Sequence, residues 1–472
     1  MRTQWMAAGL ALLMSGSATI QAQSLPRPTT PSLPSTALFP GVGSTPAGII
    51  LTTPMQPSTG ESNLAGNGLR QVQDQLAVPQ PGGAVEPASR PEQLAASEGE
   101  EAEPPKWGPT PPEDLGLLMG HGRFGDLLKD RGVRIYGWLD QGYTYSSTGP
   151  GQLSIEPREN RFGNEYLLNQ MAVVLEKPLD EHEFSLGYNA TFYAGADAAL
   201  LRPRGGFDTT NPRFGADFRQ LYVSSHLPIL SDGGVDIKAG RQGTIVGYES
   251  ALAPYRPFYS NSYQWFYSED GAWTGLLANW HVTKQLDVIN GITLGANTFF
   301  TLRGDGPCYI GQVNYWLQEE KRTLLTASLQ AGNQAIFAAP GFVGNFVTVI
   351  ELRMQHEWSK YLTQILQCHM GWEKGAPDVG TTQWYSLYSI LIYHLSPHID
   401  TNARLEWFDD SDGSRTGVAS SYEEITLGMD FHPEPWISLR PEIRGDFAGT
   451  SAFGNGHNAA QLTLAIDALL KF

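Results

Sequence analysis

Cysteine and charged residues are scarce in this chain. Of its 472 residues, two are cysteines, Cys308 and Cys368, and 17% are charged. Two cysteines cannot form the disulfide framework that stabilises small secreted domains. Because they lie on different predicted strands, we expect both to be unpaired. The charge balance is acidic, with a formal net charge of −17, which argues against nucleic acid as a partner.

Long apolar runs are also missing. The run from Met6 to Met14 is too short to cross a bilayer as a helix. With Arg2 before it and small residues after it, this run predicts a signal peptide over residues 1–22. The alternative is a buried first helix of a cytosolic protein, which the neighbouring Pro-rich stretch could not cover. Without apolar helices, an exported chain can cross a membrane only as a closed barrel.

Two segments precede the predicted barrel. Residues 23–105 are rich in Pro, Ala, Gln and Glu, a composition that predicts a disordered periplasmic linker. Residues 112–130 carry acidic residues followed by spaced leucines, which predicts a short periplasmic helix packed under the barrel mouth. Within it, residues 120–125 match the glycine fingerprint of dinucleotide sites. No strand precedes this match, so we expect no cofactor.

From residue 131 to residue 472 the chain predicts an all-β domain. Its composition supports this, with 52 Gly, 19 Tyr and 12 Trp in the whole chain. Sixteen strands are expected, most of them long enough to cross a bilayer when tilted. They lie near 133–145, 165–177, 182–193, 217–226, 234–243, 270–282, 285–297, 307–317, 321–331, 345–358, 361–373, 382–395, 398–409, 421–432, 436–448 and 459–472.

The connections between these strands alternate in length. Those after odd-numbered strands are mostly long, and those after even-numbered strands are mostly short, with 227–233 as the longer exception. Short turns at one end and long loops at the other are typical of a transmembrane antiparallel β-barrel with periplasmic turns. A soluble β-sandwich, the alternative, has no reason to sort its loops in this way.

Several strands carry apolar and polar residues in strict alternation. In the last strand Leu462, Leu464 and Ile466 share one side, and Leu469 is a misfit on the other. Charges on a lipid face would be costly, so the polar face is expected to line a water-filled lumen. Strands 361–373 and 382–395 alternate poorly, so their orientation stays open. The predicted pore-lining residues are Glu351, Arg353, Asp400, Arg404, Glu406, Arg440, Glu442, Arg444, Asp446 and Asp467.

These side chains have two expected roles. They set ion selectivity if they face the channel, or they form an ion-pair lattice that stiffens the wall. The segment 244–269 follows the fifth strand and is too aromatic to lie in water unpacked. It predicts a constriction loop with rings that could stack on sugar-like solutes, or else an outer cap folded on itself. Its candidate residues are Glu249, Tyr255, Arg256, Tyr259, Tyr263 and Trp265.

Short motifs across residues 131–472 resemble those of the putative beta-barrel porin-2 family, the OmpL-like outer-membrane porins. The matching pieces are residues 136–142, 164–170, 175–178, 240–242, 247–249, 405–410, 426–428 and 438–444 and the final strand. The resemblance implies an outer-membrane barrel and a porin role. It does not supply a substrate.

The expected function is an outer-membrane porin that lets small hydrophilic solutes or ions diffuse through a water-filled channel. The alternative is a surface receptor or adhesin that acts through its long extracellular loops. None of the ten histidines has zinc-site spacing, and a nucleophile elbow is missing, so we expect no enzyme and no metal. The expected surroundings are outer-membrane lipid, and the sequence allows a homo-oligomer.

Overall fold

The computed structural model describes residues 108–119, 123–152, 160–207, 211–269, 271–302, 306–318, 320–334, 345–376 and 380–472. The predicted signal peptide and linker lie outside these residues. Sixteen antiparallel strands form one closed barrel in which each strand pairs with its neighbours in sequence. The first strand, β1, closes the barrel on the last, β16, with Asp140 opposite Leu469.

The strand boundaries agree with the prediction to within a few residues. They are β1 Arg134–Ser146, β2 Glu165–Lys177, β3 Ser185–Gly195, β4 Gly215–Leu227, β5 Val235–Gly243, β6 Ala272–Thr283, β7 Leu286–Ala296, β8 Cys308–Trp316, β9 Thr323–Gln334, β10 Asn345–Ser359, β11 Leu362–Ala376, β12 Gly380–Ser396, β13 Ile399–Asp410, β14 Ser420–Glu434, β15 Ile437–Ala448 and β16 Ala460–Lys471. A two-residue pair, Gly151–Gln152 with Phe162–Gly163, lies in the first long loop.

Alternating residues along the strands point to the outer and the inner face of the barrel, as expected. Leu405 and Ile443 face outward and are 56% and 44% exposed, whereas Arg404, the residue before Leu405, faces inward and is fully buried. An apolar outer surface of this extent belongs in lipid, so the soluble sandwich is excluded. The misfit Leu469 faces inward, where it packs in a cluster with Trp138 and Leu252.

The two strands whose faces were blurred also become clear. On β11 and β12 the inward face carries Ile365, Trp384 and Ile390, all fully buried. Tyr393 is 44% exposed on the outer face. An apolar inward face hides the usual alternation, because here both faces of the strand are apolar.

The predicted single helix over residues 112–130 is wrong. The structure has 3₁₀ turns at Pro112–Asp114 and Leu117–Met119, and an α-helix, α1, at Arg123–Asp130. Gly116 adopts a φ of +60° between the two turns, which a continuing α-helix cannot contain. A second short helix, α2, covers Ala196–Leu200 after β3. Among the described residues, the helices are too short to cross a membrane.

Candidate functional site: a loop inside the barrel

Residues 244–269 connect β5 to β6 and fold into the barrel interior. This interior loop contains a 3₁₀ turn, Ala253–Tyr255, and a π-helical turn, Gln264–Ser268. Apart from Pro254, Tyr255 and Pro257, its residues are buried. A connection of this length that left its aromatic residues in water would be unfavourable, and the barrel wall is the surface that covers them.

Rings of the interior loop pack against the wall on several sides. Tyr263 lies 5.4 Å from Tyr422 and 6.3 Å from Phe408 between ring centroids. Phe258 lies beneath Arg404, whose Cζ is 4.9 Å from the ring centroid. Tyr259, Tyr263 and Trp265 are fully buried. These rings are therefore used for packing and are not free to stack on a passing solute.

Two wall glycines leave room for this packing. A Cβ at Gly142 would lie 2.6 Å from the ring of Tyr259, and one at Gly428 would lie 2.8 Å from Phe258. Both distances are too short for real contacts, so larger residues would displace the loop. Gly142 and Gly428 end two of the sequence motifs quoted above, and the structure gives these motifs a physical role.

Replacing Gly142 by Val should lower the free energy of unfolding by about 1–3 kcal/mol, because overpacking forces ring and backbone to shift. Denaturant unfolding of the folded barrel measures this change. The control is Gly306→Ala, because a Cβ at Gly306 would meet nothing within 4 Å. Equal stability of the Gly142→Val variant and wild type would show that Tyr259 does not occupy this position.

Charged wall residues bind the backbone of the interior loop. Arg440 donates from Nη1 to the carbonyls of Ala253 and Arg256 at 2.8 and 2.9 Å. Glu406 accepts from the backbone N–H groups of Tyr263 and Gln264 at 2.7 and 2.6 Å. Loop polar groups that lost water on burial are thus satisfied by the wall.

Arg404 joins a loop carboxylate to a wall carboxylate. Its Nη1 lies 2.6 Å from Glu249 of the loop, and its Nε lies 2.9 Å from Glu424 of β14. Its Nη1 also donates to the carbonyl of Ser260 at 3.0 Å. All three charged side chains are fully buried. Such a group is stable only while its charges stay paired.

Further anchors surround the loop. Arg256, the loop's own cation, lies 3.3 Å from Asp140 and 3.4 Å from Asp197. On the opposite side, the Ser268 hydroxyl accepts a hydrogen bond from Trp384 Nε1 at 2.8 Å. Other contacts between the wall and the loop include Glu442 with Ser260 N, Arg444 with Asn261 O, Arg353 with Gly247 O, and Gln170 with Ala251 O and Ala253 N.

The structure places all ten predicted pore-lining residues on the inward face of the barrel. Their exposed fractions lie between 0 and 7%, because the interior loop covers most of them. Seven contact the loop directly: Arg353, Arg404, Glu406, Arg440, Glu442, Arg444 and Asp446. Asp467 and Asp446 hold Arg440 and Arg444 in place.

Sequence reasoning missed another part of the inner wall. Near the turns that follow β2, β4 and β6, several inward-facing side chains of β2 and β4–β7 are half-buried rather than covered. Further along the same strands, Arg241, Leu277 and Ile289 are buried. Lys238 lies over the Tyr222 ring, with Nζ 5.3 Å from its centroid. Asp236, His281 and Asp287 have exposed side-chain fractions of 14%, 21% and 30%. The remaining members of this half-buried wall are Glu176 and Asn279. Asp236 and Lys238 alternate with the apolar residues Val235, Ile237 and Ala239, which is the sequence signal that could have found them.

Cys308 and Cys368 are not joined by a disulfide. Among the described residues, no group of three or more His, Cys, Asp or Glu side chains is placed to hold a metal ion. Buried carboxylates of the interior have arginine, backbone N–H or side-chain amide partners, as the contacts of Glu249, Glu406 and Glu269 show.

An apolar outer surface, a charged inner wall and a loop folded into the lumen define a transmembrane channel of the porin class. The chain belongs to the family described as "Putative beta-barrel porin-2, OmpL-like", whose model matches residues 132–472. It is an outer-membrane porin for small solutes. A comparison with curated proteins found no match.

Solved structures of similar fold include outer-membrane channels. An anion-selective porin from Comamonas acidovorans is similar with a TM-score of 0.50 and 11% identity, over 72% of this chain and 99% of that chain. The outer membrane channel DcaP of Acinetobacter baumannii has a TM-score of 0.49 and 10% identity, over 72% of this chain and 97% of that one. At these identities the likeness concerns the fold.

Proposed function

We propose that the interior loop sets the conductance of this porin and that solutes pass along the half-buried wall of β2 and β4–β7. The observation that carries the proposal is the contrast in burial between the two sides of the lumen near the turns that follow β4 and β6. Side chains on β10 and β13–β16 are covered by the loop, whereas Asp236 and His281 on the other side are 14% and 21% exposed. Hydrophilic solutes need a wall whose polar groups stay in contact with water.

In this proposal the arginines and carboxylates of β13–β16 form the lattice that holds the loop. This is the second of the two roles that the sequence allowed for them. Arg440 and Arg444 each bind a wall carboxylate and a loop carbonyl. A side chain with those partners contributes more to the position of the loop than to the charge that an ion meets.

The charge that passing ions meet is then largely that of the half-buried wall. Replacing Lys238 by Glu should shift the reversal potential toward cations, because a cation in this wall becomes an anion beside Asp236 and Glu176. Bilayer recordings under a salt gradient measure the shift. The control is Lys284→Glu, because Lys284 is exposed in the turn between β6 and β7.

The double variant Arg440→Glu/Arg444→Glu separates the two walls. We expect the double variant to be less stable than wild type and to shift the reversal potential less than Lys238→Glu does. The opposite result would be a large shift of the reversal potential toward cations in the double variant and no shift in Lys238→Glu. It would mean that solutes pass along β13–β16 and that the charged residues of these strands line the pore.

The segments before the barrel complete the proposal. A signal peptide over residues 1–22 directs export, and residues 23–105 form a linker in the periplasm, where both termini and the short turns lie. Mass spectrometry of the mature protein tests this, since cleavage after Ala22 fixes its mass. A homo-oligomer fits the porin class, and its native mass in mild detergent is the measurement that tests it.

A further inference from the structure

The segment before the barrel crosses the periplasmic mouth. A Cβ at Gly108 would lie 3.5 Å from His394 Cε1 and 3.9 Å from an oxygen of Asp400, beside the turn between β12 and β13. Two residues further on, the carbonyl of Thr110 accepts a hydrogen bond from Lys471 Nζ of β16 at 2.7 Å. The segment therefore passes from β13 to the last strand within three residues.

Its far end reaches the interior loop. The hydroxyl of Tyr255 donates to Oε2 of Glu113 at 2.8 Å. Tyr255 lies at the 3₁₀ turn of the loop and packs beside Tyr136 of β1. The six residues from Gly108 to Glu113 have a maximum reach of about 20 Å at roughly 3.3–3.6 Å each. They thus connect three parts of the mouth: the β12–β13 turn, β16, and the loop beside β1.

The chemistry of this segment suits a fixed position. Pro111 and Pro112 restrict the backbone before binding, so less conformational entropy is lost when the segment is held. Pro112 is buried although it precedes the barrel. Burial raises the pKa of the Glu113 carboxyl above its ordinary value, and the hydrogen bond from Tyr255 opposes this shift. By contrast, Phe124 and Leu127 of α1 are 67% and 50% exposed. The segment 108–113, and not the helix, therefore occupies the mouth.

We propose that residues 108–113 form a periplasmic strap that narrows the exit of the channel and is coupled to the interior loop through Glu113 and Tyr255. The inference rests on the porin function proposed above. Displacement of the strap from the mouth would open the exit without any change in the barrel.

Two truncations that differ by residues 108–122, which include the strap, test this inference. Both keep residues 1–22 as the export signal. The first mature chain starts at residue 108 and keeps the strap; the second starts at Arg123 and lacks it. In planar bilayers the first should conduct as wild type does, and the second should conduct more. A synthetic peptide of residues 108–119, added from the periplasmic side, should lower the conductance of the second chain.

A pair of point variants tests the coupling if the shorter chain does not fold. Glu113→Ala removes the bond to Tyr255 and should increase conductance, whereas Asp114→Ala, at an exposed neighbour, should not. Equal, non-zero conductance of the two truncations, or of Glu113→Ala and wild type, would overturn the strap while leaving the porin function intact. An absence of conductance in every folded protein would overturn both.

Discussion

Deleting Tyr255 to Gln264 should raise the single-channel conductance severalfold. These residues carry the deepest part of the interior loop, and most of them are buried against the wall. Removing them leaves a sixteen-strand barrel, a size whose open members hold an aqueous channel. The charged side chains of β13–β16 would then be solvated instead of covered. Recording from the purified, refolded variant in planar bilayers measures the change.

A replacement of the same ten residues by a Gly/Ser segment is the matched variant for this experiment. It keeps the length of the connection but removes its rings and its anchors. We expect it to raise conductance as well and to add current noise, because an unanchored segment moves in the lumen. Conductance at or below the wild-type value in a deletion variant that inserts normally would show that this loop is not the constriction.

Replacing Arg404 by Met should lower the free energy of unfolding by about 3–5 kcal/mol, the usual cost of removing one partner from a buried ion pair. The substitution leaves Glu249 and Glu424 buried without their shared cation. Denaturant unfolding in lipid vesicles or micelles measures the loss. We also expect a higher conductance, since Arg404 joins the loop to the wall.

The control for Arg404 is an arginine in an exposed ion pair. Arg213 lies 2.8 Å from Glu165, with exposed side-chain fractions of 47% and 28%. Arg213→Met should cost less than about 1 kcal/mol, because exposed pairs contribute little. If both substitutions had the same small effect, Arg404 would be solvated, and the interior loop would not be held as the structure shows.

Strand positions could be predicted well because each strand carries local information. Alternation in strands such as β13 and β15, together with the parity of loop lengths, depends on neighbours in sequence. This signal fails where an inward face meets apolar side chains of the interior. Ile365 and Ile390 replace polar residues there, and Leu469 breaks the alternation of β16, because each packs on buried apolar side chains.

The aromatic composition of residues 244–269 indicated that they pack either on the lumen wall or on the loop itself, and in the structure Tyr263 packs against Phe408 and Tyr422 of the wall. The partners could not be predicted, since they are far apart in the chain. Arg404 and Glu249 are separated by 155 positions, and Thr110 and Lys471 by 361. The rings of Tyr259, Tyr263 and Trp265 are buried against the wall. They are therefore not available for the expected stacking on sugar-like solutes.

If this barrel is a water-filled channel narrowed by its own interior loop, single-channel recording from the purified wild-type protein in planar bilayers should show it. We expect discrete, stable current steps that grow with salt concentration and are smaller than those of the loop-deletion variant. An absence of steps from folded, inserted wild-type and loop-deletion proteins would contradict it and favour a barrel that serves as a receptor or adhesin.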